Sequence, residues 1–422
     1  MNKRLIVAVL LGSLGGFVFG FDLGALSAAT QSLRAQFALS PWAFGLTISA
    51  SIWGTVGGSI LAGHYADRFD RRSLIVWCAL LYTGAAIAIT MPIRSEWLLV
   101  LAMRFLCGMA IGGFTVGCPL YLSEVAPTAI RGRVVGVFQL QVGAGVIVAF
   151  SAGAVCAHLA PPGAAWKWIL GLGAVPAGML LAAGRSLPRA DAALFTGDGD
   201  RLAPLPTVDG PDQRLFARKN ARLILLATSI AVFNQLSGVN VLLLYMLEIL
   251  ASAGVNFSLG HTYTVLISGL SLTTTMLGMA FVDRLGRKPL LYVGSVGMAV
   301  CLVTLGLAIP LRGDPVIYLS ILVAYNAFFA FSQGTVVWVY LSELFPRGLR
   351  GSGQGFGSTV HWIANAILIS VFPSVQHASS VSVFYLFALM MVLQIAVIWI
   401  WYPETRGTTL GSFARAEPGG LH

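Results

Sequence analysis

An aspartate and an arginine stand inside otherwise apolar stretches of this chain, Asp22 and Arg104. An ionisable group at the centre of a membrane-spanning helix costs at least ~2.5–3.5 kcal/mol, so it keeps a partner or performs a task. Asp22 and Glu248 are the acids that fall inside predicted helices, and Arg104, in the fourth, is the partner at hand for Asp22. A carboxylate held by a guanidinium favours one arrangement of the helices that carry them. Protonation weakens the hold, so such a pair has the chemistry of a proton-operated switch. Glu248, near the end of its segment, reads as an interfacial residue.

A second set of residues is polar without charge. Amides interrupt the apolar segments at Gln139 and Gln141, at Asn234, Gln235 and Asn240, at Asn326 and Gln333, and at Asn365 and Gln394. A side-chain amide both donates and accepts, as a sugar hydroxyl does. A neutral polyhydroxylated ligand therefore calls for amides plus an aromatic face, whereas charges would cost more to desolvate. The other reading is interhelical hydrogen bonding, worth about 0.6 kcal/mol on average, and both stand for each amide. Gln235 and Asn240 lie about 140° apart on a continuous helix; they share a site if Gly238 breaks or bends it, and broken helices near the midplane are where transporters bind substrate. His361, beside Trp362, can donate and accept once each as neutral imidazole; it is either a substrate contact or a satisfied interhelical histidine.

Charged residues recur in a doubled pattern. Asp67-Arg68-Phe69-Asp70-Arg71-Arg72 is repeated 216 residues later as Asp283-Arg284-Leu285-Gly286-Arg287-Lys288. Ser123-Glu124-Val125-Ala126-Pro127 with Arg131-Gly132 returns as Ser342-Glu343-Leu344-Phe345-Pro346 with Arg350-Gly351. Such doubling around long apolar stretches marks a transporter built from two parallel repeats. Asp67, Arg68, Arg72, Glu124, Arg131, Asp283, Arg284, Lys288, Glu343, Arg350 and Glu404 form a candidate cytoplasmic gate. They are either orientation signals alone or salt bridges that join the halves when the gate is shut. At ~0–1 kcal/mol each, exposed pairs suit a gate that opens every cycle.

These residues need a scaffold, and composition names it: 57% hydrophobic and 10% charged residues, with a mean hydropathy of +0.83, describe an integral membrane protein. A crossing takes about 20 apolar residues. Twelve segments qualify, approximately 5–30, 42–63, 73–91, 97–122, 134–157, 167–186, 221–250, 262–282, 289–309, 315–341, 353–372 and 381–401. The first is too long for a signal peptide and reads as a retained helix. Residues 1–186 and 221–402 form two six-helix bundles, 187–220 a cytoplasmic linker in which 213–222 reads as a short amphipathic helix, and 403–422 a cytoplasmic tail, disordered from Gly411. Lys and Arg concentrate on one side under this topology, which puts both termini in the cytoplasm of a multi-pass cell-membrane protein. The net charge of +10 is then accounted for by topology and anionic lipid headgroups rather than by nucleic acid. Cys78, Cys107, Cys118, Cys156 and Cys301 fall inside apolar segments without metal-ligand spacing and read as packing thiols. Neither a metal, a cofactor, a phosphate loop nor a nucleophile–base spacing is indicated, so an enzyme is not expected. The expected partners are a small sugar, a proton and the bilayer, with the monomer as the working unit.

Gly20-Phe21-Asp22, the two Asp-Arg-x-x-Arg-basic loops, Arg104 and Tyr121-Leu122-Ser123-Glu124-Val125-Ala126-Pro127 stand in an order shared with one family. So do Asn234-Gln235-Leu236-Ser237-Gly238-Val239-Asn240, Trp338 with Ser342-Glu343-Leu344-Phe345-Pro346, and Pro403-Glu404-Thr405-Arg406-Gly407. From end to end the chain resembles the sugar porters of the major facilitator superfamily. The resemblance implies an all-α membrane fold of twelve transmembrane helices in two pseudo-symmetric bundles. It implies a sugar site at Phe19, Gln139, Gln235, Asn240, Trp338, His361, Trp362 and Asn365. It also implies proton coupling through Asp22 and Arg104, since facilitative relatives carry asparagine in place of the acid. The function so implied is import of a monosaccharide by proton symport with alternating access. A facilitative sugar or polyol uniporter and a drug–proton antiporter are the alternatives, the latter favouring an aromatic and acidic pocket. A nutrient sensor would append a signalling domain or long tail. The sequence departs from the family at Asp70, which replaces a glycine, at Ser186-Leu187-Pro188-Arg189, a degraded Pro-Glu-Ser-Pro-Arg, and at Leu244 and Leu272, where a tyrosine and an asparagine are usual.

Overall fold

The computed structural model describes residues 3–66, 68, 70–91, 97–127, 130–161, 164–188, 215–244, 257–309, 315–378 and 381–406. Asp67, Tyr245, Glu248, most of the linker and the tail beyond Arg406 lie outside these residues. Among the described residues the regular structure is helical throughout. The first half comprises α1 (Lys3–Phe37), α2 (Pro41–Ala66), α3 (Arg71–Thr90), α4 (Trp97–Val125), α5 (Arg131–Leu159) and a sixth crossing made of α6 (Ala165–Leu172) and α7 (Ala174–Ala183). The second half comprises α8 (Ala221–Leu236) with α9 (Val239–Leu244), α10 (Phe257–Leu285), α11 (Arg287–Ala308), α12 (Pro315–Phe331) with α13 (Gln333–Leu344), α14 (Arg350–Ala378) and α15 (Ser382–Trp401).

Eleven spans among the described residues are long and apolar enough to cross a bilayer. The remaining long helix, α14, buries Gln354, Ser358, His361 and Asn365. Its polarity faces protein rather than lipid, as a spanning helix requires. Large apolar side chains such as Trp77, Met179, Val300 and Trp399 are exposed on the outside of the bundle, as the outer surface of a bilayer-spanning protein requires. Twelve crossings return the chain to the face where it started. The helix ends at Ala66, Arg71, Val125, Arg131, Ala183, Ala221, Leu285, Arg287, Leu344 and Arg350 share that face, called here the linker face.

Within each half the helices approach through glycine. On α1, Gly16 and Gly20 lie against the backbone carbonyls of Phe138 and Val142 of α5, and Gly145 of α5 returns the contact at Phe17. Between α2 and α4, Gly54 and Gly58 meet Phe105 and Met109, while Gly108 and Gly112 meet Ser51 and Thr55. Small residues four apart let backbones touch, and in lipid this dispersion contact supplies what the hydrophobic effect cannot. The sequence reading passed over this spacing.

Two crossings of the second half are broken. Gly238 has φ +85°, a value that favours glycine, and it separates α8 from α9; the carbonyl of Ser237, freed by the break, accepts from the Tyr325 hydroxyl at 2.8 Å. The break foreseen at Gly238 is thus present. A second one, between α12 and α13 at Ser332, carried no such signal: Thr335 Oγ1 donates back to the Ala330 carbonyl at 2.9 Å and Ser332 Oγ to that of Phe328 at 2.7 Å. Residues 215–220 form a turn and a short 3₁₀ segment leading into α8, in place of the separate amphipathic helix read over 213–222.

Candidate functional site

Four helices of the first half converge on one carboxylate. Arg104 of α4 donates from Nη1 to Asp22 Oδ1 at 2.6 Å and from Nη2 to Oδ2 at 3.0 Å, a two-pronged grip. Tyr82 of α3 adds a bond to Oδ1 at 2.9 Å, and Ser51 of α2 one to Oδ2 at 3.3 Å. Asp22, Ser51, Tyr82 and Arg104 are all buried. The aspartate therefore has four donors and the arginine a full opposite charge, which is what a buried ion needs to remain charged. Tyr82 and Ser51 had no sequence signal beyond their polarity.

Asp22 sits behind a cavity of about 130 Å³ between the halves. Its neighbours on α1, Phe19 and Leu23, line that cavity. Gln139, Gln235, Asn240, Trp338, His361 and Trp362 line it as well, so seven of the eight residues expected at a sugar site stand on one wall or another. Asn365 does not: it is buried one turn beyond His361, off the cavity, with Oδ1 lacking a partner. Residues 233–240 deliver two amides to one wall because the Gly238 break turns the helix between them: Asn240 Nδ2 donates to Gln235 Oε1 at 2.8 Å. The His361 ring lies between Trp338 and Trp362, at 5.2 and 5.1 Å between centroids, with Gln235 Nε2 2.6 Å from its Nε2. Phe19 meets Trp362 edge to face at 5.3 Å. Asn234, Asn326 and Gln333 also reach the cavity, as do Ser268, Ser271 and Thr275 of α10. Leu272 instead packs on Gly143 of α5, leaving its neighbour Ser271 on the wall.

Below the cavity, toward the linker face, the halves touch. Thr115 and Ser358 share a hydrogen bond of 2.9 Å, Gln354 donates to the Thr115 carbonyl at 3.4 Å, and Thr359 donates to Ser59 at 3.3 Å. One turn further on, the backbones of α2 and α14 abut at Gly63 and Gly355.

At the linker face itself the two glutamates pair with arginines of the doubled loops. Glu124 binds Arg71 at 3.2 Å and Glu343 binds Arg287 at 2.8 Å, each within its own half. Glu343 also feels the charge of buried Arg131 in the other half, so it acts across the seam as well, and a second acid that crosses is Asp283. It accepts from the backbone N–H of Arg133 at 3.1 Å, lies 3.6 Å from that residue's guanidinium, and is held by Arg287 at 3.2 Å. A carboxylate at the first turn of α5 also meets the positive end of the helix dipole. Arg71 and Arg287 occupy one position of the doubled loop, so the repeat itself was the signal for them. Arg72 donates to the Gly184 carbonyl at 2.9 Å, Lys288 Nζ to that of Trp399 at 3.2 Å, and Arg68 and Arg284 are exposed. Arg131 and Arg350 are buried beside the cluster. Glu404 caps α11, accepting from the N–H groups of Arg287 and Lys288 at 2.9 and 3.0 Å, and Thr405 donates to Glu343 at 2.8 Å. A Cβ on Gly286 (φ +96°) would strike that cap. Its counterpart Asp70 has φ −60° and no side-chain cap, which is why this position needs no glycine.

The chain matches the sequence family described as sugar (and other) transporter over residues 8–191 and 210–416. It is 30% identical over 391 residues to the D-xylose transporter of Levilactobacillus brevis, a match covering 86% of this chain and 84% of that one. Among solved structures, the proton:xylose symporter XylE bound to 6-bromo-6-deoxy-D-glucose matches with a TM-score of 0.86 at 25% identity, over 97% of this chain and 98% of that one. The inward open conformation of XylE from E. coli, also 25% identical, gives 0.76 over 96% and 98%.

Proposed function

Because this chain belongs to the sugar porter family of the major facilitator superfamily, and is a multi-pass membrane transporter rather than an enzyme, we propose that it imports a neutral monosaccharide by proton symport. The observation that carries this reading is the buried Asp22 carboxylate, gripped at both oxygens by Arg104 directly behind the cavity. Loaded with a proton, Asp22 keeps its shape but loses its charge, and the grip that joins α1 to α4 relaxes. Phe19 and Leu23, on the same helix, carry that change to the cavity wall. A sugar bound across the cavity draws on amides from both halves, Gln139 on one side and Gln235 and Asn240 on the other, so binding favours the state in which the halves close on it.

We read residues 1–186 and 221–402 as the two rocking halves, with the linker face toward the cytoplasm because Lys and Arg concentrate there. The Gly63–Gly355 contact and the Asp283–Arg133 pair support a state shut on that face. The better match to sugar-bound XylE than to its inward open form agrees. D-Xylose and D-glucose are the first substrates to try. The test is uptake of either sugar into proteoliposomes: a proton gradient should drive accumulation above the external concentration, and addition of sugar alone should raise the pH of a lightly buffered medium. Uptake that only equilibrates, with no proton movement, would make the protein a facilitator.

A further inference from the structure

Five amides run head to tail from the cavity into the second half. Asn240 Nδ2 donates to Gln235 Oε1 at 2.8 Å, Gln235 Nε2 to Asn234 Oδ1 at 3.4 Å, Asn234 Nδ2 to Gln333 Oε1 at 3.3 Å and Gln333 Nε2 to Gln394 Oε1 at 2.7 Å. Each of these bonds is donated in the direction of Gln394. An amide has one donor end and one acceptor end, so such a chain has a direction, and its members polarise one another in that direction.

The far end sets which direction it is. Gln333 Nε2 also lies 3.5 Å from Met391 Sδ, and a thioether has no hydrogen to give, so Gln333 turns its N–H groups there and its oxygen toward Asn234. Gln394 Oε1 also lies 3.2 Å from Ser295 Oγ, whose one hydrogen is shared between it and the Leu291 carbonyl at 2.8 Å, and Gln394 Nε2 has no partner among the described residues. Neither Gln394 nor Ser295 lines the cavity, and both are fully buried, on α15 and α11. At the near end the consequence is chemical. Gln235 spends its hydrogens on Asn234 and on His361, and Gln333 spends its own on Gln394 and Met391. What remains toward the cavity from these two is oxygen lone pairs, joined by Asn240 Oδ1.

We propose that Gln394 and Ser295 are positioning residues that fix Gln235 and Gln333 with their oxygens, rather than their N–H groups, toward the cavity. At these two amides the transporter then reads the hydroxyl hydrogens of its sugar rather than their lone pairs. This rests on the cavity being a sugar site, and it adds what the site senses. Selectivity is thereby anchored two helices away from any substrate contact.

The probes are D-glucose and its deoxy and deoxyfluoro analogues at C2, C3 and C4, competing with labelled D-xylose for the full chain in proteoliposomes. Carbon-bound fluorine can accept weakly but cannot donate. At one or more positions, removal of the hydroxyl should weaken competition about 10-fold, and fluorine should not restore it. Fluorine restoring affinity at every sensitive position would overturn the proposal. Gln394→Leu should weaken D-xylose binding by about 3- to 10-fold and open a gap between fluoro and deoxy analogues that the wild type lacks, because an amide freed to turn its N–H to the cavity can donate to fluorine. Gln394→Glu, whose carboxyl oxygen still accepts from Gln333, should keep the wild-type pattern. Gln394→Leu with unchanged affinity and pattern would also overturn it. Should Gln394→Leu fail to fold, as judged by thermal melting, Ser295→Ala and the wild-type analogue series decide. Failure of unmodified D-glucose and D-xylose to compete in the wild type would instead overturn the sugar reading itself, and this inference with it.

Discussion

Asp22→Asn separates coupling from binding. The substitution keeps the size of the side chain but replaces one of two acceptor oxygens by an N–H₂ group. Arg104, which now donates to both oxygens at 2.6 and 3.0 Å, would keep at most one of those bonds and face a donor with the other. Breaking a buried pair from one side typically costs about 3–5 kcal/mol, because the remaining charge stays buried, so the variant should melt well below the wild type while still folding. Its functional signature is sharper. One proton moving down 100 mV supplies about 2.3 kcal/mol, enough for roughly 50-fold accumulation. The substituted amide has no proton to carry, so accumulation should fall to the equilibrium ratio of one while counterflow, which needs only alternating access, continues. The assay is labelled D-xylose in proteoliposomes with an imposed potassium diffusion potential, run beside counterflow in the same preparation. An Asp22→Asn protein that still concentrates sugar would refute the proton assignment.

Alanine at Gln139, Gln235 or Asn240 leaves sugar hydroxyls unpaired at about 1–3 kcal/mol each, or roughly 5- to 150-fold in affinity by calorimetry; three unaltered variants would move the site elsewhere. Asp283→Asn removes the cross-half contact to Arg133, so in a background lacking the five native cysteines it should raise labelling of Thr359→Cys in the seam below the cavity. Glu124→Gln, whose pair with Arg71 lies within one half, should change labelling less, and the reverse ranking would return the gate to the two glutamates. Gly238→Ala demands φ +85° of a residue with a Cβ, and that Cβ would run into the Phe387 ring. A loss of about 1–3 kcal/mol in stability is expected from the backbone alone, together with weaker sugar binding as Asn240 swings from Gln235; an unchanged melting temperature would show that the break tolerates alanine.

The helices and the doubling were legible because each depends on long, regular signals: runs of apolar residues, and charged motifs repeated 216 residues apart. The Gly238 break was legible because glycine is the residue that positive φ selects. The Ser332 break was not, since Ser332 and Thr335 hide it by bonding to their own backbone. Pairing at the linker face was legible only in part for a related reason. The sequence names acids and bases but not which half each reaches: Glu124 and Glu343 take arginines of the doubled loops in their own halves, and Asp283 crosses over to Arg133. The resemblance placed Asn365 at the sugar site, whereas it lies off the cavity although it shares a helix face with His361, because exposure at the site depends on the rotation of α14 and not on spacing alone. The direction of the amide chain depends on Met391 and Gln394, neither of which carries a motif.

The cap that Glu404 places on α11 also orders events during synthesis. In the first half, Arg71 finds Glu124 as soon as the fourth crossing has been made. In the second, Arg287 and Lys288 wait for Glu343 and then for Glu404 and Thr405, which follow the last helix. Domains assemble from the N-terminus as the chain emerges, so the first half can finish its charged cluster while the second is still being made. The second half cannot complete its own until the residues after its last helix have been made. A stop codon or a bulky fusion placed just after Tyr402 would thus damage a helix end that begins more than a hundred residues earlier.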